Sequence, residues 1–177
     1  MSERITKAHY AYTGRLLKLR VARVRLQNGA ETTREIVEHP GAVAIIPILD
    51  GNKILVTKQY RIAARRHLME IPAGTLEPDE SPRSCAKREL TEETGYAAKR
   101  MRKVFSCYLA PGYSTEKIHF FVASKLVPSK PTRVEDEVIT VQAMDLREGL
   151  RAIETGEIQD AKTICGLYFL ATHRRSK

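Results

Sequence analysis

Apolar residues recur along this chain in three rhythms, and each predicts a different element. From Leu17 through Leu19, Val21, Val24 and Leu26 they punctuate a basic stretch with rough period-two alternation, the pattern of a strand with one wet face. Asn28-Gly29 follows as a two-residue hairpin signal, since both residues tolerate positive φ. Thr32 to Val37 then returns as a second strand. His39-Pro40-Gly41 breaks the pattern and sets a boundary between an N-terminal β extension, 1–41, and a main domain, 42–177.

The second rhythm is continuous. Ala42 to Leu49 (AVAIIPIL) is an unbroken apolar run, which predicts a strand buried on both faces. Asp50-Gly51-Asn52 turns the chain, Lys53 to Tyr60 comes back as a strand, and His67 to Pro72 is a shorter extended piece. Val104 to Leu109 pairs with Ile118 to Ala123, and Val138 to Met144 is a further strand. The third rhythm is helical. Ser81-Pro82 opens a helix that Gly95 closes. Asp145 with Glu148 three residues on forms a capping box for a helix ending near Gly156. Asp160 caps a last helix with apolar positions Ile164, Leu167, Tyr168 and Leu170. Helices flanking a mixed sheet make the fold class α/β, a sandwich with a small antiparallel β extension at the N-terminus.

Length and composition narrow the class further. With 177 residues, 42% hydrophobic and 29% charged, the chain suffices for one cored domain with an extension. It contains no apolar run near the roughly 18 residues that span a bilayer, and Met1-Ser2-Glu3-Arg4 leads into polar sequence rather than a signal peptide. Three cysteines (Cys85, Cys107, Cys165) without paired spacing suit a reducing compartment. A cytoplasmic protein without a membrane partner is expected. The formal net charge of +9 favours anionic partners, but it does not choose between nucleotides and nucleic acid.

The chemistry is concentrated between Gly74 and Tyr96. Gly74, Glu80, Arg88, Glu89, Glu92, Glu93 and Gly95 are seven fixed residue types at seven fixed offsets; at roughly 5–7% usage per type, chance supplies this about 10⁻⁸ of the time per starting position. Residues three and four apart on a helix share a face about 5–6 Å apart. Glu89, Glu92 and Glu93 therefore crowd one side of the helix. Arg88 stands four residues from Glu92 and relieves that contact, leaving Glu89 and Glu93 for another neutraliser. A hard divalent cation with oxygen ligands, Mg²⁺ or alternatively Mn²⁺, fits that need. Gly74 is expected to allow a sharp turn and close backbone approach, Arg88 to orient a neighbouring carboxylate, and Leu90 and Cys85 to face the core.

This segment is identified as the Nudix signature, and the resemblance extends over nearly the whole chain toward the ADP-ribose pyrophosphatase branch of those hydrolases. Thr33 to Ala42, Gln59-Tyr60-Arg61, Glu70-Ile71-Pro72-Ala73-Gly74 and Ala110-Pro111-Gly112-Tyr113-Ser114-Thr115-Glu116 carry that second likeness. The resemblance implies a metal site from Glu89, Glu92 and Glu93, the backbone carbonyl of Ala73 and a contribution from Glu137, with Glu80 as a structural partner. It implies Glu135 as general base, with Glu137 as the other catalytic candidate on that acidic loop. It implies substrate contacts from Arg34, Arg61, Glu70, Ala110, Pro111, Gly112 and Glu116, the last toward the terminal ribose. The activity implied is metal-dependent hydrolysis of ADP-ribose to AMP and ribose 5-phosphate. The partner implied is a small nucleoside diphosphate sugar, in a homodimer built through the N-terminal extension.

Two other readings differ from this one. One keeps the chemistry and changes the substrate to another nucleoside diphosphate sugar or a dinucleotide. The other is a non-catalytic ADP-ribose sensor or RNA-binding module. An intact motif opposes a sensor, and the lack of aromatic stacking motifs opposes RNA binding, so no nucleic acid partner is expected.

Overall fold

A computed structural model of the protein describes residues 3–129 and 139–174. In chain order its elements are β1 (Arg4–Thr13), β2 (Lys18–Arg25), β3 (Glu31–Glu38), β4 (Ala42–Asp50), β5 (Lys53–Arg61), β6 (Arg66–Glu70), β7 (Ala73–Thr75), α1 (Pro82–Thr94), β8 (Tyr96–Tyr108), β9 (Lys117–Pro128), β10 (Thr140–Asp145), α2 (Leu146–Glu154) and α3 (Ala161–Arg174). They form two compact units. One holds the residues up to Gly41 together with Cys107–Ile118; the other holds Ala42–Ser106 and the described residues from His119 onward.

In the first unit β1, β2 and β3 make an antiparallel sheet in that order. The alternation from Leu17 to Leu26 produced β2, with Ala22 and Val24 buried. β1 was not foreseen with any bounds, because its ten residues are all exposed and carry no buried stripe to set a period. The β2–β3 turn is wider than the two-residue form expected. Leu26 N–H bonds the Ala30 carbonyl at 2.8 Å, and only Gly29 takes positive φ, at 84°. Asn28 instead accepts the Ala30 N–H on its side-chain oxygen at 3.1 Å, the use of Asn as a local turn-former.

The second unit is the α/β sandwich. Its sheet runs β10-β5-β4-β9-β8, with β6 beside β5 and β7 beside β4. β4 is buried on both faces, as its unbroken apolar run required. Val43 and Ile45 belong to the core shared with Cys85, Ala86 and Leu90 of α1. On the other face Ile46 packs against the α3 backbone at Gly166, where an added Cβ would come within 3.2 Å of it. The two helices thus cover opposite faces of one strand. Leu90 is fully buried, so truncation to Ala should cost about 2–5 kcal/mol.

Local signals set the helix ends. Ser81 accepts the Ser84 N–H at 3.1 Å and Pro82 begins α1. Gly95, at φ 72°, sends its N–H to the Thr91 carbonyl at 2.9 Å, the left-handed cap that glycine adopts without a Cβ penalty. Asp145 and Glu148 complete the expected capping box on α2. Asp160 accepts the Thr163 N–H at 2.9 Å ahead of α3. The bounds of four strands differ from expectation. β8 begins at Tyr96 rather than Val104 and β9 runs on to Pro128 rather than Ala123; the added segments hold only scattered apolar positions, of which Ala98, Met101 and Leu126 reach the core without a clean period. The piece from His67 ends at Glu70, before Pro72. β10 starts at Thr140, and Val138 lies outside the described residues.

Candidate active site

The carboxylate helix stands against β7, and the short distance between them comes from one missing side chain. Gly74 is not the sharp turn expected; it is a strand residue paired with Val43 of β4. Its function is close approach. A Cβ there would lie 1.9 Å from both the carboxyl carbon and Oε1 of Glu89, so only glycine lets that carboxylate rest on the strand. One residue earlier, the Ala73 N–H donates to Glu93 Oε2 at 3.3 Å. Ala73, Glu89 and Glu93 are therefore brought together where the sequence placed them.

Arg88 binds the cluster more fully than foreseen. Its Nε and Nη2 grip both oxygens of Glu80 at 3.0 and 2.9 Å. Its Nη1 donates to Glu92 Oε2 at 3.0 Å and to Glu89 Oε1 at 2.7 Å. Glu89 is thus not left without a basic partner, which corrects the helical-spacing expectation: the flexible arginine folds back to its immediate neighbour as well as reaching one turn ahead. The role expected of Arg88, orienting carboxylates, and that of Glu80, a structural partner, both match this geometry.

Charge states follow from these contacts. Hydrogen bonding from Arg88 holds the Glu80 carboxyl below its ordinary value. The same contact, with the Glu89 and Glu92 carboxylates, raises the Arg88 guanidinium further against deprotonation despite partial burial. Cys85 lies beneath, its thiol 3.4 Å from Arg88 Nη2. Burial, and then the Glu80 and Glu89 charges, push it up to about 12. A thiol so suppressed is a core residue, not a nucleophile.

The donor set suits a hard divalent cation. Three carboxylates and a backbone carbonyl are all-oxygen ligands, and one guanidinium cannot balance Glu80, Glu89, Glu92 and Glu93 together. Among the described residues no three His, Cys, Asp or Glu side chains already converge on a single point. Glu89 and Glu92 instead face Arg88.

A second charged cluster lies at the end of β6. Glu70 is 1% exposed and is held by Arg61 in a two-point contact, Nε to Oε1 at 2.8 Å and Nη2 to Oε2 at 2.7 Å. Lys162 of α3 bonds the same carboxylate. Burial raises the Glu70 pKa, but the Arg61 hydrogen bond and the Lys162 charge outweigh it, and the net shift is downward. Arg61 and Glu70, both expected at the substrate, are thus paired with each other. Lys162 was missed. Its only sequence signal was its place two residues after the Asp160 cap.

In the first unit Arg34 is paired with Glu3, Nη2 to Oε1 at 2.7 Å and Nε to Oε2 at 3.1 Å. Ala110 to Glu116 form a turn tied to the end of β3. The Ala110 carbonyl accepts the Tyr113 and Ser114 N–H groups, Val37 N–H bonds the Tyr113 carbonyl at 2.8 Å, and Thr115 N–H returns to Val37. Glu116 N–H is held by Ser114 Oγ at 3.1 Å. Glu135 and Glu137 lie outside the described residues.

Comparison with known proteins gives a consistent picture. A NUDIX domain matches residues 38–167. The chain is 40% identical over 172 residues to the ADP-ribose pyrophosphatase of Bacillus subtilis (strain 168), covering 96% of this chain and 93% of that protein. It is 41% identical over 170 residues to the methanol dehydrogenase activator of Bacillus methanolicus, with 95% and 92% covered. It is 37% identical over 139 residues to the GDP-mannose pyrophosphatase of Citrobacter koseri (strain ATCC BAA-895 / CDC 4225-83 / SGSC4696), with 73% and 72% covered. A crystal structure of an ADP compounds hydrolase superposes with a TM-score of 0.88 at 22% identity, covering 99% of this chain and 96% of that one, which establishes the fold. No described helix is long and apolar enough to cross a membrane. The Gly74 cradle, the Arg88-bound carboxylates and these matches agree: the chain belongs to the Nudix hydrolase family.

Proposed function

We propose that this protein hydrolyses the diphosphate bond of ADP-ribose, releasing AMP and ribose 5-phosphate, with Mg²⁺ as its metal and Mn²⁺ as the substitute. The observation that carries the reading is the near full-length likeness to an ADP-ribose pyrophosphatase combined with the crowding of Glu80, Glu89 and Glu92 around Arg88. Glu89, Glu92 and Glu93, with the Ala73 carbonyl and Glu137, would hold the cation. When bound it neutralises the diphosphate and the leaving phosphate. Arg61 would bind a phosphate through its planar fork, the fork that Glu70 holds in the absence of substrate. Glu135 would take the proton from the attacking water, as a carboxylate ionised at neutral pH can. For Arg34, Ala110, Pro111, Gly112 and Glu116 the assignment to substrate rests on the likeness of their segments.

A second reading, another nucleoside diphosphate sugar, is favoured by the GDP-mannose pyrophosphatase relative. A panel of ADP-ribose, GDP-mannose, other nucleoside diphosphate sugars and dinucleotides, assayed with Mg²⁺ and with products identified, separates the two. ADP-ribose should give the highest kcat/KM, and a tenfold preference for GDP-mannose would overturn the first reading.

We also propose a homodimer formed through the β1–β3 sheet. β1 is an edge strand that exposes Ile5, Tyr10 and Tyr12, the kind of surface that natural edges avoid unless paired. A monomer mass by light scattering would refute it.

A further inference from the structure

The segment from Glu70 to Ala73 leads directly into the Gly74 cradle, and it is fixed at every residue. The Glu70 carbonyl accepts Thr57 Oγ1 at 3.3 Å, the Ile71 N–H donates to Thr163 Oγ1 at 2.8 Å, and the Pro72 carbonyl accepts the Ile45 N–H at 2.8 Å. The α3 end of this arrangement is itself braced. Asp160 Oδ2 accepts both Thr163 N–H, at 2.9 Å, and Thr163 Oγ1, at 2.5 Å. Asp160 Oδ1 steadies the Lys162 ammonium at 2.9 Å.

Around Glu70 the two cations are not equivalent. The Lys162 side chain is 11% exposed and held by two carboxylates. The Arg61 side chain is 41% exposed, and Glu70 is its one ion-pair partner among the described residues. A nearly buried carboxylate cannot lose its compensation cheaply, because removing the partner of a buried charge strands it. If Arg61 alone neutralised Glu70, every departure of the guanidinium toward a phosphate would leave that charge bare.

We propose that Lys162 is a positioning residue whose charge keeps Glu70 compensated, so that Arg61 can be handed over to the diphosphate of the substrate. Lysine suits the fixed role as a compact point charge, and arginine the mobile one, since its fork matches both a carboxylate and a phosphate. The inference rests on the proposal that Arg61 serves a diphosphate.

The test follows the Arg61 Nε–H resonance by NMR while ADP is titrated in magnesium buffer, with ADP affinity measured in parallel by calorimetry. In the wild-type chain ADP should shift that resonance. In Lys162→Met half-saturation should rise at least fivefold, and Lys162→Arg should restore it to within twofold. In an Arg61→Ala background the Lys162→Met change should add nothing further. If Lys162→Met does not fold, Lys162→Gln, which keeps a donor but not the charge, carries the same expectation. An Arg61 resonance indifferent to ADP overturns the proposal. So does unchanged half-saturation in a folded Lys162 variant, or an equal loss with and without Arg61, the mark of a merely structural lysine. A chain that cleaves nothing in the substrate panel, yet shows this Lys162-dependent response, refutes the reaction proposed above and leaves the hand-over standing. The opposite pattern removes the hand-over alone.

Discussion

The Arg88 and Arg61 clusters use the same chemical parts in opposite proportion. Arg88 is a single cation among Glu80, Glu89 and Glu92, with Glu93 close by on the Ala73 amide. Arg61 and Lys162 are two cations sharing Glu70, with Asp160 behind the lysine. The first cluster carries more carboxylates than cations in direct contact, with the Arg61 charge acting on Glu93 from further off, and it is the one proposed to take up a cation. The second is balanced, two cations against Glu70 and Asp160, and its more exposed cation is the one proposed to turn toward an anion. Charge count, more than residue type, separates the cluster proposed to hold a metal from the one proposed to hold substrate.

The largest expected effect comes from altering that count on α1. Glu93→Gln keeps an acceptor for the Ala73 amide and removes only the charge. If the cluster holds a divalent cation, transition-state stabilisation worth several kcal/mol is lost, and at 1.36 kcal/mol per decade turnover should fall by about 10²–10³. The circular dichroism spectrum and melting point should stay near those of the parent. Activity within threefold of the parent would remove Glu93 from the metal site. Next in size is Gly74→Ala. Its Cβ would occupy the place of the Glu89 carboxylate, while the strand backbone accepts alanine without strain. Metal affinity should drop about 10–100-fold, the range typical when the support of a ligand is lost. Isothermal titration with Mn²⁺ against the parent decides it, and equal affinities would show that Glu89 is not a ligand.

The two clusters were not equally legible in the sequence. The α1 cluster was readable because a helix has a fixed period: Glu89, Glu92 and Glu93 had to share a face, and Ser81-Pro82 and Gly95 had to bracket them. What periodicity could not supply was the reach of Arg88. A long side chain samples both its neighbour and the next turn, and only packing selects among them. The Arg61 cluster was half readable. Arg61 and Glu70 stood out through resemblance, whereas Lys162 is 92 positions from Glu70 and joins it because α3 packs against β4 and β6. The strands show the same division. β4 was plain because both of its faces are buried, and β1 was invisible because neither is.

Arg88→Met tests the charge count through stability. Removing a cation shared by three carboxylates should destabilise the chain by about 2–3 kcal/mol, below the 3–5 kcal/mol of a fully buried pair, since the Arg88 side chain remains 26% exposed. Mg²⁺ should then rescue the variant more than it stabilises the parent, because a ligand that binds only the folded state stabilises it by mass action. Thermal melts with and without Mg²⁺ measure this. Identical magnesium shifts in parent and variant would mean that Arg88 and the cation do not compete for the same carboxylates.

The smallest effect lies in acid, where both clusters contribute stability with the same sign for different reasons. The Glu80 carboxyl sits below 4.5 because Arg88 hydrogen-bonds it. For Glu70, burial pushes upward, and the Arg61 hydrogen bond and Lys162 charge still bring it below 4.5. A carboxyl whose folded pKa is depressed contributes fully above its unfolded value, and that contribution is lost as pH falls through the folded value. Stability should therefore decline as pH drops below 4.5 and be flat in this respect above it. Glu80→Gln removes one contributor and should give a shallower acid decline in urea melts across that window. Glu70→Gln should also flatten the decline, but it leaves Arg61 and Lys162 repelling one another, so it should lower stability at neutral pH as well. A Glu70→Gln chain as stable as Glu80→Gln at pH 7 would show that the balanced cluster does not depend on its central carboxylate, and the contrast between the two clusters would not hold.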